Sequence, residues 1–177
     1  MLKKTTFQRA QGNINVKINN NEINRFYQSG SAKVFYPKSS QKFKELILVN
    51  TAGGITSGDN FAYDFEIVNK SKIFLTTQTA ERAYKGFNEK AKINISLTLD
   101  DTSNLFWIPQ ELILFNNCNF DRNIKVNLSS NSNFVLAETT IFGRTAMGEY
   151  LEKGYFNDNW RINVNKNLIH AEALNLN

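Results

Sequence analysis

Six carboxylates follow apolar stretches or loops in this chain: Asp59, Glu81, Glu111, Glu138, Glu149 and Glu172. Two of them could work as general acid and base, but only at a separation that sequence does not set. Scattered carboxylates are commonly salt-bridged or solvated, so a carboxylate hydrolase is an alternative, not the leading reading. Metal chemistry is thinly provided for. The single histidine is His170, and Cys118 stands far from it. A zinc site wants several Cys or His at short spacing. Glu and Asp oxygens with water could still hold or pass a cation loosely. Serines abound, yet no Gly-x-Ser-x-Gly elbow presents one as a nucleophile. Gly53, Gly54 and Gly58 could cradle a phosphate through backbone N–H groups. Phosphate loops usually feed a helix and recruit a lysine. This one runs into an alternating strand, so a structural corner is the better reading, with Asp59 as its turn residue.

The elements that would position these groups are strands. Leu46-Ile47-Leu48-Val49 reads as a buried strand that stops at Asn50 and enters the glycine loop. Phe61, Tyr63, Phe65 and Ile67 then alternate with polar residues. Upstream, 3–11 is an irregular or edge segment. Ile14, Val16 and Ile18 alternate, and 22–28 and 32–36 are strands, the second ended by Pro37. A polar turn covers 38–41.

From Asp59 onward a unit recurs: an alternating strand, a polar turn, then an apolar strand closed by Gln or Glu. The closing residues are Gln78, Gln110, Glu138 and Glu172, separated by 32, 28 and 34 residues. Such spacing marks stacked supersecondary units. The expected fold is all-β, with stacked β-hairpin or β-helix-like repeats and at most one or two short helices. An ordinary β-sandwich is the alternative. The best candidate for a short helix or turn is 79–88, ended by Gly86, and 143–148 is a second irregular break. If the units stack, the four closing residues form a polar column. Facing outward it is a solvated ladder. Facing inward it needs water and would be a conduit for a hydrophilic ion.

With 177 residues, 41% hydrophobic and 21% charged, the chain is long enough for one cored domain over 1–177. Fourteen phenylalanines favour β structure. A net charge of +5 would suit nucleic acid, but the lysines are spread without a dense run. A basic nucleic-acid-binding β module is therefore only a second alternative. One cysteine excludes an internal disulfide framework and fits a reducing cytoplasm. Neither a signal-peptide h-region nor a transmembrane run is expected.

Several stretches, in order, resemble one family. They are Asn50-Thr51-Ala52-Gly53-Gly54-Ile55-Thr56-Ser57-Gly58-Asp59; Leu75-Thr76-Thr77-Gln78 with Tyr84; Ile108-Pro109-Gln110-Glu111 with Ile113-Leu114-Phe115; and Gly143-Arg144 with Gly148-Glu149. They resemble the UreD (UreH) urease accessory proteins, many of which have Pro-Gly at Thr51-Ala52. The resemblance implies a non-catalytic urease maturation chaperone in the cytoplasm. Its partners would be UreF, the GTPase UreG and apo-urease, with no nucleic acid or membrane. It would bind no cofactor tightly, with nickel in transit through an internal hydrated route. Glu138, Glu172 and Asp59 are the positions for that route. Gly53, Gly54, Gly58, Asp59, Gln78, Tyr84, Gln110, Glu111, Arg144 and Glu149 are signature-loop and partner-facing candidates. Family members run on past the point matching Asn177, so the resemblance also implies that the family's C-terminal part is lacking here.

Overall fold

Alternation decides what each long strand buries. In β1 (Gln11–Asn19), Ile14, Val16 and Ile18 point inward and the residues between them point out. The same two-residue period runs through β5 (Asn60–Val68), β8 (Ala91–Leu99) and β11 (Asn119–Leu128). A computed structural model describes residues 8–38, 40–87 and 89–177. Of the N-terminal edge segment, 3–7 lies outside the described residues, as does Ser39 of the polar turn.

The strands wind into a stack of coils. Each coil has a long side (β5, β8, β11), a second side (β6 Lys72–Thr77, β9 Asn104–Trp107, β12 Asn133–Leu136) and a short third side (β7 Glu81–Ala83, β10 Leu112–Leu114, β13 Thr140–Phe142). The sides of successive coils pair in parallel. Asn60 faces Lys92, 32 residues on, and Ala91 faces Phe120, 29 residues on. The first coil runs from β1 to β4 (Lys44–Asn50) and Ile55, which bridges Ala83. The hairpin partner β2 (Glu22–Gly30) and strand β3 (Ala32–Phe35) are inserted within it, both antiparallel to their neighbours. At the other end β14 (Tyr155–Val164) continues the long side and β15 (Asn167–Leu176) folds back antiparallel on it. This is the stacked, β-solenoid architecture expected from the repeat. The final strand pair departs from it, because β15 returns along β14 and forms no second side.

Local chemistry makes the turns. Asn69 and Lys70 carry β5 into β6 with φ of 54° and 62°, and Asn20-Asn21 and Asn165-Lys166 do the same elsewhere. Two left-handed residues in succession define the turn whose twist matches its strands, and asparagine tolerates it. Of the short helix or turn expected at 79–88, no helix forms among the described residues. Glu81–Ala83 is strand β7, because Ala83 must pair with Ile55 and Leu114 to close the third side; Asn88 lies outside the described residues. The break at 143–148 contains one 3-10 turn, Thr145–Met147. No helix among the described residues is long and apolar enough to cross a membrane.

The two broad outer faces differ. On the long side, amides form ladders: Asn123 donates to Asn94 (3.2 Å), Asn159 to Asn123 (3.3 Å) and Asn157 to Asp121 (2.8 Å). On the second side the outward positions include Phe35, Ile47, Phe74, Phe106 and Val135. The interior of the early coils is apolar, with Val16, Phe65, Leu97 and Val126 at one level, all fully buried.

Candidate functional site

The signature residues gather along one ridge beside the short third side. The Tyr84 hydroxyl donates to the Gly53 carbonyl (3.3 Å), and the Tyr84 ring meets Phe115 edge-on at 4.9 Å. The Arg144 guanidinium lies 4.1 Å over the Phe115 ring and pairs with Glu149. Glu149 also accepts from the Asn116 backbone N–H at 2.8 Å. That bond, then the Arg144 partner, holds the Glu149 carboxyl below the usual range. The ridge thus links the first coil to the last through Gly53, Tyr84, Phe115, Arg144 and Glu149. Around it Phe87, Phe142, Met147 and Tyr150 are exposed. Gly54 sits inside the ridge with φ of 142°, where a Cβ would overlap the Tyr84 ring.

Asp59 is a staple. It is 5% exposed, and its two oxygens accept from the Ala10 and Thr56 backbone N–H groups, each at 2.8 Å. It therefore ties the start of the first coil to the glycine loop at Gly58. Gln78 and Gln110 occupy equivalent places, 32 residues apart in the register of β6 and β9, and both are exposed. Glu111 lies next to them, and its carbonyl accepts from the Glu81 N–H. Glu138 sits at the same corner one coil on but turns inward. Glu172 stands apart on β15, exposed, opposite Trp160 and 3.6 Å from His170. The column of four closing residues is thus split between solvent, the interior and a distant edge.

A different polar line runs inside the stack. Arg122 is inward on β11, 5% exposed. Its guanidinium bonds Asp158 Oδ1 from Nε (2.9 Å) and Glu138 Oε1 from Nη1 (2.7 Å), with Nη2 reaching the second oxygen of each. The Trp160 indole donates to Asp158 at 2.8 Å. Burial pulls the Arg122 pKa down, but the Glu138 and Asp158 carboxylates outweigh it and hold the group charged. Further along, Glu81 points inward with Ala83, and Asn50 Nδ2 donates to its oxygens at 3.1 and 3.3 Å. Burial pushes the Glu81 carboxyl up to about 7, against the pull of Asn50, Arg82 and Arg122. Burial and then Glu81 raise the neighbouring Tyr63 phenol as well. Sequence reasoning had named Glu81 among the carboxylates but missed Arg122, Asp158 and Asn50.

A measurable consequence attaches to Glu81. Its folded pKa lies above its ordinary value of 4.5. Its contribution to stability is therefore full below about pH 4.5 and is lost as pH rises through 7. Glu81→Gln should flatten the decline in melting temperature between about pH 5 and 8 and raise the melting temperature most at the alkaline end. Parallel curves for the two proteins would show that the carboxylate is already solvated.

Among the described residues, no group of three or more His, Cys, Asp and Glu side chains could hold a metal ion. Cys118 is buried, and burial raises its thiol to about 11, so it carries no ready thiolate.

The family model described as UreD urease accessory protein matches residues 8–177. A urease accessory protein UreD from Rhodopseudomonas palustris (strain HaA2) is 38% identical over 152 residues, covering 86% of this chain and 54% of the relative. UreD 1 from Brucella anthropi is 36% identical over 183 residues, covering 99% and 65%. UreD from Chelativorans sp. (strain BNC1) is 35% identical over 173 residues, covering 96% and 62%. The chain spans about half the length of the first of these relatives.

Proposed function

The chain belongs to the UreD family of urease accessory proteins, and from that premise we propose that it is a non-catalytic maturation chaperone. In this reading it acts in the cytoplasm as a scaffold. It joins apo-urease to UreF and the GTPase UreG while nickel is inserted into the urease active site. The observation that carries the reading is the ridge. Its signature residues spend their hydrogen-bonding capacity on one another, as Tyr84 does on Gly53 and Glu149 on Arg144 and Asn116. What they leave outward is a shaped aromatic surface, which suits docking better than bond-breaking.

The inner polar line supports a hydrated passage for nickel as cargo. It runs through Asn50, Glu81, Arg122, Glu138 and Asp158. The Trp107 indole N–H is buried with no hydrogen-bond partner among the described residues, and groups of that kind are satisfied by water. Asp59 suits the route poorly, because it staples backbone N–H groups at the glycine corner and is not part of the inner line, and Glu172 is exposed on the last strand.

The test is copurification of the chain with UreF and apo-urease, followed by nickel analysis of the urease. Tyr84→Ala should weaken the association. Glu138→Gln, which keeps the side chain's size and an acceptor for Arg122, should lower nickel content while leaving assembly intact. A folded sample that associates with neither partner would refute the scaffold. Full nickel loading with Glu138→Gln and with Glu81→Gln would refute the passage alone.

A further inference from the structure

The outer face of the second side should be polar if it met only water, and it is not. Phe74, Phe106 and Val135 lie side by side on β6, β9 and β12. Phe35 and Ile47 form a second row on β3 and β4. Phe43 packs edge-on against Phe106 at 5.1 Å. Phe35 is 57% exposed and Val135 44%. A shallow cleft of ≈ 400 Å³, lined by Gln41, Phe43, Glu45, Phe74 and Phe106, opens along the strip. The long side, built from the same period, carries amide ladders in the corresponding outward positions.

The shape of the strip restricts its occupant. It spans a 5-stranded sheet in two rows offset by two residues, Phe35–Ile47 on β3 and β4 and Phe74–Phe106–Val135 on β6, β9 and β12, so it runs obliquely across the strands, about 20 Å long and about 7 Å wide between rows. The strands beneath it are already paired on both sides except at the ends, so an added strand would find no backbone partners there. An α-helix of about 13 residues has that length, and its apolar stripe has that width. Charge narrows the choice further. Lys33 and Lys72 point outward beside the strip and exposed Lys42 adjoins Phe43, whereas Glu45 is the one carboxylate facing out from these strands among the described residues. A second copy placed face to face would set lysines against lysines. It would also share roughly 300 Å² per partner across the strip, short of the ~800 Å² that stable pairs bury.

We propose that this strip seats one amphipathic helix of a partner protein, apolar on one face and acidic along its flanks. The proposal rests on the reading that the chain works by docking to other proteins, and it assigns one docking element to a face remote from the signature ridge. The large side chain at the centre of the helix enters the cleft between Phe43, Phe74 and Phe106, and its acidic flanks meet Lys33, Lys42 and Lys72.

The full chain is titrated against a fluorescein-labelled helical peptide of about 14 residues, with leucines on one stripe and glutamates beside it, read by anisotropy. Binding that weakens about tenfold when lysines replace the glutamates, and again with added salt, is the expected result. Phe106→Asp should lose about tenfold or more, and the exposed Phe35→Ser does the same duty if the first variant fails to fold by circular dichroism. No binding to the wild type overturns the proposal. So does equal binding of both peptides, or binding that neither variant changes. Sedimentation that shows a dimer lost in Phe35→Ser would assign the strip to a second copy and overturn it too. Copurification of the same variants with apo-urease and UreF separates the two readings. Wild type that captures neither, yet binds the acidic peptide through the strip, refutes the scaffold and leaves the helix seat standing. Wild type that captures them while the peptide arm fails refutes the helix seat alone.

Discussion

Replacing Arg122 by methionine is expected to cost about 3–5 kcal/mol of folding stability, the range for removing one member of a buried ion pair. The size follows from what is left behind. Glu138 and Asp158 would keep their place inside the stack, 6% and 7% exposed, with no cation between them. Two like charges without a partner must take up protons, draw in water or force the end coils apart. Urea denaturation of wild type and Arg122→Met measures the loss. Adding Glu138→Gln and Asp158→Asn to the methionine variant should recover most of it, since the charges that needed Arg122 are then gone. A loss under about 1 kcal/mol would mean that solvent screens the cluster as it does a surface pair.

Gly54→Ala should lower the melting temperature by roughly 6–12 °C, corresponding to about 3 kcal/mol in a chain of this length. Two costs add. The residue holds φ at 142°, a conformation that L side chains rarely adopt. The new methyl would also overlap the Tyr84 ring and stand 2.8 Å from the Arg82 carbonyl oxygen. Moving Tyr84 disturbs its contact with Phe115, and so the change reaches the ridge. Gly53→Ala is the control. Its φ of 77° is also left-handed, but nothing lies within 4 Å of the added methyl, so its loss should be the smaller. A thermal scan of both variants and of Gly54→Ala with Tyr84→Ala separates strain from overlap. Equal losses in the two single variants would leave backbone strain as the whole effect.

The stack was legible because period-two alternation is written strongly in the long strands, from Phe61 to Ile67 and again from Ile93 to Leu99. The short third side was not. Glu81-Arg82-Ala83 is three residues long, too short for any period, and its alanine and charged residues suit a helix as well. Only pairing with Ile55 and Leu114, far away in sequence, makes it a strand. The polar column was half legible. Gln78 and Gln110 do align, but facing is set at a corner where alternation breaks, so Glu138 could turn inward while they turned out. Arg122 carried a readable signal that went unused. In Phe120-x-Arg122-x-Ile124-x-Val126 it sits in the inward phase of an apolar alternation, and Asp158 does the same between Phe156 and Trp160. A charge in that phase on two neighbouring strands is the sequence form of a buried ion pair.

The parallel pairing of coil on coil has one further outcome. Each coil leans on the one before and the one after, and on little else. Order in such a body is lost as a zip opens, from an end toward the middle, and not as a globule melts. Among the described residues the strand Asn167–Leu176 is paired along a single edge and exposed on both faces, and in this stack of coils it is the strand from which such a zip opens.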